Sequence, residues 1–203
     1  LVAVVNRNAN PSKIDAHLRR SIDYDVDWDP SSGAVSSRVT VTMTNAVPLD
    51  RVGGVVTLPP TGAAPGTNRT QLSVLTPLRA TGAMVDGVDT PLGSSVERAA
   101  PDDGATDDGA TVDGGDLRRH SLMVDLAPGA TVTVSFDLAG SIEPGETYRL
   151  RWIEQPLVRP TTSRLLLHST GAPFPGGSHD GRVRLGPARV TDVAVSTERA
   201  PRG

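Results

Sequence analysis

The stretch Ile22–Asn45 reads IDYDVDWDPSSGAVSSRVTVTMTN. In its first half Ile22, Tyr24, Val26 and Trp28 alternate with Asp23, Asp25, Asp27 and Asp29. In its second half Val39, Val41 and Met43 alternate with Arg38, Thr40, Thr42 and Thr44. Side chains on a strand point to opposite faces at period two, so each half is a strand with one apolar and one wet face. Asp29-Pro30-Ser31-Ser32-Gly33 between them is turn chemistry. A half-wet ribbon needs a second layer over its apolar face. The rest of the chain must supply it.

Upstream, Leu1–Val5 is a short apolar strand or the end of a preceding helix, and Asn6–Asn10 is a polar turn. Pro11–Arg20 predicts a short helix with Asn10 as N-cap and Pro11 in the first turn. Arg19 and Arg20 would then be cations at the helix C-terminus, where the dipole favours them. Downstream, Arg51–Leu58 is a weaker strand with a bend at Gly53-Gly54, and Asn68–Leu75 places Leu72, Val74 and Thr70 on one face. Ala80–Pro91 is a hairpin turning at Asp86-Gly87, and Val96–Arg98 is a short strand. Arg118–Leu126 sets His120, Leu122, Val124 and Leu126 on one face; His120 there is a core or edge histidine. Thr131–Ala139 buries Val132, Val134, Phe136 and Leu138, and Thr147–Gln155 alternates Tyr148, Leu150 and Trp152 with Arg149, Arg151 and Ile153. Leu165–Leu167 is a buried or edge strand, and Arg182–Leu185 with Val190–Ser196 forms a last pair.

Roughly ten short strands, with turn signals every 8–12 residues or so, specify an all-β chain. The expected fold is an antiparallel β-sandwich, immunoglobulin-like in the loose sense, with a short N-terminal helix; a closed barrel is the alternative. Three regions are expected: a connector with the helix over 1–20, the sandwich over 21–168, and an extension with a last strand pair over 169–203.

The 203 residues suffice for one large domain with a real core. Aromatics make up only 3%, so that core is mostly Val and Leu. The net charge of -3 excludes a basic footprint for nucleic acid. Cysteine is absent, which removes disulfides and thiolate chemistry. Lys13 is the sole lysine against many arginines, a bias read as genomic composition rather than as a phosphate site. Leu1–Val5 is too short for a membrane span or a signal core, and the chain starts at Leu rather than Met. The chain is therefore read as a fragment or a processed product, and any anchor or signal would lie upstream of it.

The stretch 99–116, AAPDDGATDDGATVDGGD, carries a near repeat and no core-forming pattern. It is expected to be a mobile acidic loop. Its aspartates could ligate calcium, but their spacing matches no EF-hand loop, so solvation is preferred. Asp23, Asp25, Asp27 and Asp29 lie about 6–7 Å apart on one strand face. They are read as a solvated face paired with Arg38 rather than as catalytic acids, which normally come from different elements. His17, His120, His168 and His179 show no ligand spacing, and no nucleophile or phosphate-loop motif follows a strand. Asn68-Arg69-Thr70 is formally a glycosylation sequon of little weight. No catalytic, cofactor or metal site is assigned. Arg69, Arg149 and Arg151 are the candidates for contacting an anionic ligand, since guanidinium forks match phosphate or uronate.

Four stretches together resemble one family. They are VVNRNANPSKIDAHLRRSIDYDVDWDPSSGAVSSRVTVTMTNAVP from Val4, PGTNRTQLSVLTPL from Pro65, LAPGATVTVSFDLAG from Leu126, and YRLRWIEQPLVRP from Tyr148. They are similar to the C-terminal region of the actinobacterial domain-of-unknown-function family DUF4012. The likeness covers about Leu1 to Leu167, and Asn6–Asp15 and Pro65–Thr70 are its most specific pieces. The acidic stretch and the tail after Ser169 depart from it. The resemblance implies a membrane-anchored, extracytoplasmic envelope protein whose upstream half precedes this chain. It carries over no catalytic residues. The expected function is a non-catalytic module for spacing or for binding an envelope polysaccharide or protein. The alternative is an accessory part of an enzyme acting on envelope polysaccharide, with Arg69, Arg149 and Arg151 facing the substrate.

Overall fold

A computed structural model describes residues 1–52, 57–97, 116–186 and 189–198. The ribbon that dominates the sequence is present as β2 (Leu18–Trp28) and β3 (Ala34–Asn45), paired antiparallel with Tyr24 opposite Val39. Leu18, Ile22, Tyr24, Val26 and Trp28 are buried, as are Val35, Val39, Val41 and Met43. The turn between them is held by Asp29, whose carboxylate accepts from Ser31 N–H and from the hydroxyls of Ser31 and Ser32. Gly33 closes it at a φ of +72, where a Cβ would collide with the Ile142 carbonyl oxygen. Only glycine fits there.

The second layer is drawn from both ends of the chain and from its middle. One sheet has the order β13-β10-β1-β4-β8-β7 and the other β12-β11-β2-β3-β9-β5-β6. In the first, β1 (Val2–Asn8) lies between β10 (Thr147–Glu154) and β4 (Asn68–Thr76), followed by β8 (Leu117–Leu126) and β7 (Gly93–Glu97). In the second, β9 (Thr131–Ser141) extends the ribbon toward the hairpin of β5 (Arg79–Val85) and β6 (Val88–Asp89). On its far side stand β11 (Thr162–Ser169) and β12 (Asp180–Leu185), while β13 (Val190–Ser196) edges the first sheet. A single buried cluster joins the inner faces of both sheets. The hairpin turns at Asp86-Gly87, both at positive φ.

The chain is all-β, but the sheets are mixed rather than purely antiparallel. β1 pairs parallel with β10, and β2 pairs parallel with β11. The cause is a doubled crossover: the chain passes from β1 in one sheet to β2 in the other, and later from β10 to β11 beside it. The two arches stack in register. The 1–20 and 169–203 regions, expected as connector and extension, thus contribute β1, β12 and β13 to the two sheets.

The helix expected over Pro11–Arg20 is a single 3-10 turn, Ile14–His17. Its N-cap is Lys13 without a side-chain bond, and Asn10 is engaged elsewhere. Leu18 is already extended, because burying it together with Ile22 and Tyr24 requires strand parity. Leu49–Arg51 is a further 3-10 turn, ending at the first residue of the strand expected over Arg51–Leu58. The bend at Gly53-Gly54 and most of the acidic stretch 99–116, with its calcium reading, lie outside the described residues.

Candidate functional site

Two polar centres occupy the crossover end of the sandwich. The inner one grows from β2 and β10, which face one another across the core. Tyr24 meets Trp152 at 6.2 Å between ring centres, and Trp28 meets Tyr148 at 5.7 Å. These four are all the Trp and Tyr of the chain. Burial raises the pKa of both phenols, most strongly at Tyr148. Further along, four residues on β2 and two on β10, Arg20 meets Glu154 at 3.4 Å, with only 1% and 11% of their side chains exposed.

Arg20 spends its donors on four other acceptors. Nη1 donates to Asn6 Oδ1 at 2.9 Å, to Gln155 Oε1 at 3.2 Å and to the Val4 carbonyl at 3.3 Å. Nε donates to Thr161 Oγ1 at 3.1 Å. Burial pulls the guanidinium pKa down, and the Glu154 charge and hydrogen bond oppose that pull. Glu154 in turn accepts from Trp152 Nε1 and Ser163 Oγ. Gln155 then prolongs the β1–β10 ladder with its side chain: Oε1 accepts from Asn6 N–H and Nε2 donates to the Asn6 carbonyl, both at 2.8 Å. Pro156 cannot offer a backbone donor, so the amide does so instead. The Arg20 centre thus fastens the two arches together. Its signal in sequence was parity: Arg20 shares the face of Ile22 and Tyr24, as Asn6 shares that of Val4 and Glu154 that of Trp152.

The outer centre is an open groove of about 570 Å³ beside Arg69, lined by Asn8, Asn10, Pro11, Pro59, Pro60 and Thr61. Asn10 organises it. Its Nδ2 donates to the carbonyls of Thr67 and Leu58, and its Oδ1 accepts from Arg69 N–H at 2.7 Å. Asn8 Oδ1 accepts from Asn10 N–H, and Ala9 N–H donates to the Arg69 carbonyl. The stretches Asn6–Asp15 and Pro65–Thr70, far apart in sequence, meet here. A second depression next to it is lined by Arg69, Met123 and Asp125.

Arg69, Arg149 and Arg151 all project outward from the six-stranded sheet, alternating with buried Thr70, Tyr148, Leu150 and Trp152. Arg149 and Arg151 are neighbours on β10, whereas Arg69 stands at the other end. Ala9 bonds beside Arg69, and Leu1 falls beside Arg151, whose charge acts on the Leu1 amino group. Eight strand residues separate those levels, about 27 Å at roughly 3.3–3.4 Å each. Arg69 is forked onto Asp125 at 2.7 and 2.6 Å, and this hydrogen-bonded pair lowers the Asp125 pKa. Arg151 is forked onto Asp192 in the same way. On the other sheet Arg38 lies opposite Asp25 but forks onto Asp137, and Asp23 pairs with Arg164. The pairing expected between Arg38 and the aspartate row is therefore made by Arg164 at Asp23. Asp25 keeps a raised pKa, chiefly from desolvation and next from Asp23. His120 is buried with Nδ1 on Ser94 and Nε2 on the Leu78 carbonyl, as a core histidine should be.

No protein-family model and no curated protein matches the chain. Among solved structures it is similar to a Legionella pneumophila protein described as a nutrient binding protein, at 10% identity and a TM-score of 0.47, covering 96% of this chain and 71% of that one. It is similar to an M1 zinc metallopeptidase of Deinococcus radiodurans at 14% identity and a TM-score of 0.38, covering 91% of this chain and 40% of that one. It is also similar to yeast LTA4 hydrolase at 11% identity and a TM-score of 0.42, covering 91% and 30%.

Proposed function

We propose that this chain is a non-catalytic, extracytoplasmic β-sandwich module of a membrane-anchored envelope protein, used for spacing and for binding an envelope polymer or protein. One observation carries the binding part. The two stretches most specific to the DUF4012 resemblance are knitted together by Asn10 around a single open groove. The groove offers amides, carbonyls and proline faces, and Asp125 neutralises Arg69, the one cation on its rim among the described residues. That chemistry suits an uncharged polar chain better than a phosphate or uronate. The immunoglobulin-like comparison enters here as a mode of use, a sandwich strung along a surface protein. An accessory-enzyme role would need Arg69 and Arg151 on one substrate, across the distance given above.

The test has two arms. Protease added to intact cells making the full-length protein should cleave this module; cleavage only after lysis would refute the extracytoplasmic reading. The purified module should co-sediment with isolated native envelopes, and Thr61→Arg in the groove wall should weaken that. Undiminished sedimentation of Thr61→Arg would refute the groove as the binding face.

A further inference from the structure

We propose that His168 and His179 bind a divalent transition-metal ion of the Zn²⁺ or Cu²⁺ class at the loop end of the β11–β12 hairpin. The residues lie eleven apart in sequence, a spacing that matches no ligand motif. The hairpin brings them together, with ring centres 6.2 Å apart. An Nε2–metal bond of about 2.0–2.1 Å puts a ring centre roughly 3 Å from the ion, so rings sharing one ion stand about 5–6 Å apart. A small side-chain rotation covers the difference.

Both rings are oriented as metal-binding imidazoles are. His168 Nδ1 lies 2.9 Å from the Asp180 carboxylate, and His179 Nδ1 lies 2.9 Å from the Ser169 carbonyl oxygen. An ionised carboxylate and a backbone carbonyl can only accept, so the proton of each neutral ring sits on Nδ1. Each Nε2 is left with its lone pair, and the Nδ1 bond fixes the orientation of the ring. His120, with both nitrogens engaged in the core, shows the contrasting arrangement. The surroundings favour a dication. His168 is in register with Asp180 on one side and with the exposed Asp27 on the other. Among the described residues no three His, Asp or Glu side chains converge on a point, so the pair supplies two ligands and water the rest. Two imidazoles select a borderline ion over the hard cations Ca²⁺ and Mg²⁺.

The experiment is calorimetric titration of the untagged chain with ZnCl₂, CaCl₂ and MgCl₂. One saturable Zn²⁺ site is expected, with little heat from the other two salts. His168→Asn and His179→Asn should each weaken Zn²⁺ binding at least tenfold, while His17→Asn leaves it unchanged. Tryptophan-fluorescence melts confirm that the variants fold, and Zn²⁺ should raise the midpoint of the parent but not of the double variant. Absence of saturable Zn²⁺ binding, equal affinity for Ca²⁺, or undiminished binding by His168→Asn/His179→Asn would each overturn the site.

Discussion

Replacing Arg20 by Met tests the fastening of the two arches. The side chain is 1% exposed and faces Glu154, itself 11% exposed. Methionine fills much of the same volume but leaves Glu154 as a nearly buried charge without its cation. Removing one member of such a pair costs about 3–5 kcal/mol, most of it from the stranded charge. That is a large part of a typical folding free energy of about 5–15 kcal/mol. For a chain of this size it lowers the melting midpoint by roughly 6–20 °C. The assay is urea unfolding followed by tryptophan emission, because Trp28 and Trp152 are both fully buried in the same seam. The control is Arg20→Met/Glu154→Gln. Glutamine keeps an acceptor for Trp152 and Ser163 but carries no charge, so about 1–3 kcal/mol should return. If the double variant is no more stable than Arg20→Met, the stranded charge is not the cause. The lost bonds to Val4, Asn6 and Thr161 would then carry the effect. A loss under about 1 kcal/mol for Arg20→Met, the range of an exposed ion pair, would refute the buried-pair argument altogether.

Gly33→Ala should cost about 1–3 kcal/mol in the same assay, since it imposes positive φ on alanine and drives a Cβ into the Ile142 carbonyl; parent-like stability would contradict the turn geometry. Val134→Asp places a carboxylate at a 0% exposed position on β9. An unpaired buried charge costs several kcal/mol, so the variant should be recovered mainly as insoluble protein, and a soluble, cooperatively melting product would count against the core assignment. Acid should weaken the fold at its ribbon turn. The serine hydroxyls and Ser31 N–H hold the Asp29 carboxyl at about 2 instead of 3.8. A depressed folded pKa gives stability that is present above the unfolded value and lost as pH falls through the folded one. Melting midpoints should therefore fall between about pH 4 and about pH 2, and Asp29→Ala should flatten part of that fall; an identical pH profile in the variant would rule out the turn as its source.

What was legible in the sequence was local. Alternation identified β2, β3, β8, β9 and β10 with their buried faces, because strand parity is written into neighbouring residues. Asp86-Gly87 announced its hairpin because few residue pairs accept two positive φ values. The Asn10-Pro11 start and the Arg19-Arg20 end imitated a helix, and that imitation hid the strand parity that puts Leu18 and Arg20 on the buried face of Ile22 and Tyr24. The parallel pairs were invisible for a related reason: Asn6 and Gln155 are 149 residues apart. The His168–His179 approach depends on hairpin register, which the Gly/Pro-rich loop between them conceals. Arg69 was singled out for its charge, whereas Asn10, which shapes the groove, was read only as a cap.

The stacked arches also set an order of events during synthesis. Of these strands β1 and β2 leave the ribosome before the others, but the strands that flank them in parallel, β10 and β11, follow about 150 residues later. At roughly 5–20 residues per second that interval is on the order of ten to thirty seconds. Throughout it β1 has one bare edge and β2 lacks the neighbour that covers its flank, and such edges invite pairing between nascent chains. The ribbon of β2 and β3 can form early, with its aspartates outward as like-charged guards. The two-sheet unit closes only when residues near 170 have emerged. A chain shortened before β11 would therefore lose the whole fold rather than its last fifth.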